Sequence, residues 1–191
     1  MRKHAGSSPV TRTIFLFIMN FLNHLKTINK HRRVVRYYCF KLHLYWQGLT
    51  HDLSKYSFTE FSLGVKYYQG FRSPHEKERK EYGYSKAWMH HKGRNKHHFE
   101  YWTDIDKESG LYKPYEMPLK YVKEMLCDRI AASKIYKKDE YTDASPYDYF
   151  LTSSARLNMH PNTAKLIEEW LLMLKEKGEE YTFNYINHNY K

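Results

Sequence analysis

Between residues 20 and 47 the apolar positions Leu25, Ile28, Val35, Tyr38, Leu42 and Tyr45 recur at spacings of three, four and seven. A helix of 3.6 residues per turn puts them on one face, so the pattern predicts a long amphipathic helix with Gly48 as its stop. A short connector then delivers His51 and Asp52, and a second helix is predicted over residues 59–68, with Gly70 and Pro74 as breakers. Residues 75–84 are too charged to show a stripe and read as helical or mobile. Ser85 is placed to cap a short helix that runs to His91 and breaks at Gly93. Pro118 opens a strong helix to about residue 138 as its first residue, and further helices are predicted over 146–154 and 161–176. The tail "EEYTFNYINHNYK" alternates weakly and fits neither pattern. Sustained alternation with period two is absent elsewhere, as are internal repeats, so the expected fold is an all-α helical bundle.

The length of 191 residues suits one domain, expected over residues 19–178 with a tail at 179–191. Cys39 and Cys127 each lie inside an apolar helical pattern and no CxxC motif occurs, so free thiols in a reducing cytoplasm are expected and a zinc ribbon is excluded. The start, "MRKHAGSSPVTRTIFLFIMNF", imitates a signal peptide, but the apolar run at 14–19 is too short to span a membrane. It also lacks a small-residue cleavage site. The core pattern begins only after Met19, and residues 1–18 are therefore read as an extraneous extension. A net charge of +11 and an isoelectric point near 9.4 suit a polyanionic partner, such as nucleic acid, or a phosphorylated substrate. Lysines scattered over solvated helix faces account for part of that excess.

Ionisable residues that interrupt an apolar stripe carry the chemistry, because burying one without a partner costs several kcal/mol. In the helix after Pro118, Tyr121, Met125, Ala132 and Ile135 mark the inward face, and Asp128 falls among them. It is either a salt-bridge partner of an arginine, a cap for another helix, or a metal ligand. His31 sits between Ile28 and Val35 on the first helix's stripe, where it is either a hydrogen-bonded core residue or a ligand. "THDLSK" adds His51, Asp52 and Lys55, the lysine pairing with the site or with Glu60. Finally "AWMHHKGRNKHHFEYW", residues 87–102, packs His90, His91, His97 and His98 around a Gly-Arg-Asn turn.

Taken in order, His31, His51-Asp52 and Asp128 resemble the HD-domain superfamily of metal-dependent phosphohydrolases. "HRRVV" is similar to its opening histidine, "HDLSK" to its His-Asp region and "CDRIAASK" to its closing aspartate, over roughly residues 31–138. The chain resembles still more closely a family of short, uncharacterised bacterial and phage proteins, through "QGLTHDLSKYS", "GYSKAWMHHKGRNKHHFEYW" and "EMLCDRIAASKIY". The superfamily resemblance implies a helical bundle in which His31, His51, Asp52 and Asp128 converge on a divalent ion. Such ligands suit manganese, iron, nickel, cobalt or zinc.

Two-metal members of that superfamily carry extra histidines between the His-Asp pair and the last aspartate, and here the doublets fill that interval. One or two ions are thus implied, with Asp52 as the bridge. Adjacent helical residues point 100° apart, so one member of each doublet should face the site: His91 and His97 are favoured, with His90 and His98 as rivals. Lys55, Lys92, Arg94 and Lys96 are the candidates to hold substrate phosphate, and Asp52, Lys55 and Arg94 the candidates for catalysis. Trp88, Phe99, Tyr101 and Trp102 either stack on a nucleobase or build core. The expected function is hydrolysis of a nucleotide or another small phosphorylated substrate. An HD-type di-iron oxygenase and a non-enzymatic basic module that binds nucleic acid are the alternatives.

Overall fold

A computed structural model describes residues 9–190 and is all-α apart from one small hairpin. Helix α1 (Pro9–Lys41) leads into α2 (Tyr45–Thr50), a 3₁₀ turn (Leu53–Tyr56) and α3 (Phe58–Lys66). Then come α4 (Pro74–Tyr82) and α5 (Lys86–Lys92), followed by strands β1 (Thr103–Ile105) and β2 (Tyr112–Pro114). The chain closes with α6 (Leu119–Lys137), α7 (Ser145–Thr152), α8 (Ala155–Asn158) and α9 (Pro161–Asn189). The central helix is α6, packed by α1 on one side and by α7 and α9 on another. Val35, Tyr38 and Cys39 of α1 meet Leu126, Cys127 and Ile130 of α6 and Trp170 of α9 in one apolar core.

The first helix ends earlier than its pattern predicts. His43 takes a left-handed conformation, φ 59°, and Leu44 N–H donates to Cys39 O at 2.8 Å, the six-to-one bond of a Schellman cap. Gly48 therefore does not stop α1. It lies inside α2, where a Cβ would stand 3.0 Å from that of Cys39, so its lack of a side chain lets α2 fold back closely on α1. Pro118 sits at the cap position and the helix begins at Leu119. The charged segment at 74–82 is helical, and the weakly alternating tail continues α9 beyond a kink at Gly178, φ 79°, burying Phe183 and Ile186 in the core.

The hairpin pairs Thr103 with Pro114 and Ile105 with Tyr112; three-residue strands are too short to leave a period-two signal. The expected N-terminal extension falls partly on residues 1–8, outside the described part. Within it Ile14, Phe15 and Phe17 are exposed on α1. Among the described residues no helix is long and apolar enough to cross a membrane.

Candidate metal centre

Four segments deliver the centre's side chains, and their local structure explains how. His31 points inward from α1, and its neighbour Arg32 turns the other way to donate from Nε to His51 O at 2.8 Å and from Nη2 to Leu49 O at 2.9 Å. The end of α2 is thereby fixed against α1. Asp52, next in the chain, adopts φ 56°, ψ 25°, left-handed backbone that aspartate tolerates better than most residues, and it is 1% exposed. Asp128 comes from the middle of α6.

The histidine-rich stretch is held by its own polar network. Ser85 caps α5 by accepting from Trp88 N–H, while buried Glu78 of α4 accepts from Ser85 Oγ and Lys86 N–H. After α5, buried Asn95 donates to Ser54 Oγ and to His91 O, both at 2.8 Å, which ties the turn to the Asp52 segment. Trp102 Nε1 donates to Lys96 O, and Trp88 packs against His91 and His98. Trp88, Phe99 and Trp102 thus brace the turn or pack on the core.

These supports bring two groups together on the two oxygens of Asp52. In the first, His31, His51, Asp52 and Asp128 offer ligand atoms within 4.8 Å of one another. His31 Nε2 and His51 Nε2 each lie 3.3 Å from Asp52 Oδ2, and His31 Nε2 is 3.0 Å from Asp128 Oδ1. In the second, Asp52 joins His91, His97 and His98 within the same span. Here the Nε2 atoms of His91 and His97 face Asp52 Oδ1 at 3.3 and 3.5 Å.

Both histidines of the second doublet reach this group, contrary to the expectation of one from each. The 100° argument holds on a helix, and His97 and His98 lie in a turn. His90, on α5, points away and pairs through Nδ1 with Glu60 Oε1 at 2.7 Å.

Two carboxylates that pattern reading passed over complete the arrangement. Glu124 Oε1 lies 2.8 Å from His51 Nδ1 and 3.2 Å from His97 Nδ1; Glu60 Oε2 lies 2.8 Å from His91 Nδ1. A carboxylate only accepts, so these contacts put the proton on Nδ1 and leave Nε2 of a neutral ring as a lone-pair donor toward the centre. Burial raises the pKa of both glutamates, but their hydrogen bonds to histidine outweigh it and keep them below the usual range. Glu124 had one signal, its place four residues before Asp128 on the same helix face. Glu60 follows Ser57 as in a capping box, and Ser57 does cap it, yet its carboxylate turns inward.

Charge and satisfaction both favour a cation. Burial alone would raise Asp52 and Asp128, but the surrounding imidazoles, with Lys55 for Asp52, outweigh it and hold both well below the carboxylate range. For His51, burial lowers the pKa and the carboxylates more than reverse it. His98 is held well below the usual value by burial and then by the charges of His97 and His91. Asp52 Oδ1 lacks a hydrogen bond, Asp52 Oδ2 is met through ion pairs, Lys55 among them, and Nε2 of His97 and of His98 is buried without a hydrogen-bond partner. Such atoms are costly to bury bare, and together they are of the kind that ligate a metal ion. The cluster can therefore hold a metal ion.

Of the predicted phosphate-holding cations, only Lys55 is brought to the centre, where Nζ pairs with Asp52 Oδ2 and not with Glu60. Burial would lower its pKa, but Asp52 and Asp128 more than reverse this and keep it protonated. Arg94 is exposed and donates to His90 O, while Lys96 lies over the rings of Tyr101 and Tyr121. Neither they nor Lys92 form an ion pair with Asp52 or Asp128 among the described residues, because the turn that sends His97 and His98 inward sends its basic residues outward.

No curated protein and no solved structure matches the chain. A family profile does, over residues 20–173, which include every residue of the centre. The chain belongs to that family, described as a family of unknown function (DUF5662).

Proposed function

We propose that the protein is a metal-dependent phosphohydrolase of HD type, acting on a nucleotide or another small phosphorylated substrate with two divalent ions bridged by Asp52. The observation that carries this reading is the pair of His/Asp groups on opposite oxygens of one buried aspartate, backed by Glu60 and Glu124. His31, His51, Asp52 and Asp128 would hold one ion, and Asp52, His91, His97 and His98 the other. Bound ions would supply Lewis acidity and a water of lowered pKa, the chemistry that phosphoester hydrolysis needs.

The chain's own groups do the remainder. Lys55, with a quarter of its side chain exposed, is the protonated donor at the edge of the centre and would hold a phosphoryl oxygen. Asp128, with 18% of its side chain exposed, marks the same accessible edge, whereas Asp52 and His51 are closed off from solvent. Glu60 and Glu124 keep the histidine rings in one orientation and one tautomer.

The test is elemental analysis of the purified protein, followed by phosphate release from a phosphoester panel with manganese, cobalt, nickel, iron and zinc. Turnover in at least one metal form and a metal stoichiometry near two are expected. Asp52→Asn, which keeps a residue tolerant of left-handed backbone, should abolish activity and lower the stoichiometry. Folded, metal-loaded protein that releases no phosphate from any substrate would sink the reading. The three histidines of the second group also support an iron-dependent oxygenase of the same superfamily. Anaerobic purification and Mössbauer spectroscopy distinguish it, because a redox-silent pair of ions leaves it no chemistry.

A further inference from the structure

Helix α1 carries two chemistries on opposite sides. His24, Ile28, His31 and Val35 face the bundle and are buried, while Lys26, Lys30, Arg33 and Arg36 are exposed. At 100° and 1.5 Å per residue, these four cations fall within an arc of about 120° and a length of about 15 Å. With Arg32, Asn29 and Gly48 they line a cleft between α1 and α2.

None of these five cations has a carboxylate partner among the described residues. Arg32 is spent on neutral oxygens, those of His51, Leu49 and Tyr56. Basic residues on other surfaces do find acids, as Lys66 finds Glu81, Arg156 finds Glu168 and Lys175 finds Asp148. Like charges three and four residues apart on a helix repel, so the bare stripe costs stability that a bound anion would restore.

The shape and surroundings select the anion. A length of about 15 Å matches several phosphates in a row, at roughly 3.4 Å per charge along one strand, and exceeds what a single phosphate needs. A concave cleft does not fit a flat lipid surface. An aromatic ring stands beside the cations: Tyr37, next to Arg36 on α1, is 55% exposed. Exposed rings beside a cationic groove are what unpaired bases stack on.

We propose that the cleft between α1 and α2 binds the backbone of single-stranded nucleic acid. This site lies across α1 from the metal centre and does not depend on it, so binding persists in chelator.

The experiment measures binding of a fluorescein-labelled oligothymidylate by anisotropy, in chelator and over a salt series. It compares the full chain with the exposed-site variant Lys30→Glu/Arg33→Glu/Arg36→Glu. A control, Lys107→Glu/Lys137→Glu/Lys177→Glu, makes the same change in net charge on other exposed surfaces. The cleft variant should bind at least about tenfold more weakly and lose about 2 from the slope of log affinity against log salt, near 0.7 per contact. The control should retain the wild-type slope. Should the charge reversal perturb the thermal melt, Arg33→Gln/Arg36→Gln replaces it, with an expected slope loss of about 1.4. Equal weakening in control and cleft variants would overturn the proposal. So would no binding at low salt, or binding to phosphatidylserine vesicles without binding to the oligonucleotide.

Discussion

Asp52 is the residue on which the centre turns, and its two carboxylate oxygens face different sets of histidines. Those histidines depend in turn on Glu60 and Glu124, which are 3% and 5% exposed and touch none of the open edge. Glutamine has nearly the same shape but a weaker, uncharged acceptor, so Glu60→Gln should loosen the second group through His91. Glu124→Gln should loosen both groups, because Glu124 contacts His51 and His97. Outer carboxylates of this kind are worth roughly 10–100-fold in metal affinity. Competition against a chromogenic chelator should therefore show Glu60→Gln weakening one binding event and Glu124→Gln weakening both. Unchanged affinity in both variants would leave these glutamates as mere core acids.

Helices α1 and α3 pack closely, and Gly64 is the point of tightest approach to His24. A Cβ on Gly64 would stand 2.0 Å from Nε2 of His24, whose ring also packs against Phe61 and Tyr68. Gly64→Ala should cost about 1–3 kcal/mol in urea denaturation, with part recovered by adding His24→Ala, which vacates the space. Full wild-type stability of Gly64→Ala would refute this packing.

His24 also carries a pH signature. Burial, aided by the charge of Lys55, lowers its pKa to about 4 in the folded chain. Between about pH 4 and 6.5 the unfolded chain then binds the extra proton, so the stability from this group is fully present above 6.5 and is lost as pH falls through 4. The slope reaches at most about 1.4 kcal/mol per pH unit for one proton. His24→Leu should flatten the fall in unfolding free energy over that window relative to wild type; parallel curves would contradict the assignment.

How far the elements could be read from the sequence follows from their surroundings. His31 was legible because α1 has one buried face, on which a histidine stands out. Asp128 was legible with less contrast, since α6 buries Val122, Leu126, Cys127 and Ile130 all around and its stripe is faint. Glu124 went unread on that helix for the same reason. The inward reach of both His97 and His98 and the end of α1 escape the helical pattern because both depend on left-handed or turn backbone, at His43 and around residues 93–98, where helical periodicity carries no information.

At the scale of the whole molecule, the centre is where separately packed parts meet. α1, the α2–α3 connector, α5 with its turn, and α6 each supply ligand atoms, and Lys55 and Arg32 tie the connector across them. Without a cation, five ligand histidines and two aspartates crowd one buried space, with several atoms bare of hydrogen bonds. An ion that binds the folded chain and not the unfolded one stabilises by RT ln(1 + [L]/Kd), about 2.7 kcal/mol at a hundredfold excess over Kd. For a chain of this size each kcal/mol moves the melting temperature by roughly 2–4 °C. Chelation should accordingly lower the melting temperature by about 5–10 °C, and adding back manganese or cobalt should restore it. Asp52→Asn should melt at one temperature in chelator and in metal, which separates ligation at this centre from ions held elsewhere. A wild-type melt indifferent to metal across a wide concentration range would mean that the cluster is held together by its own ion pairs, and the metal centre would have to be abandoned.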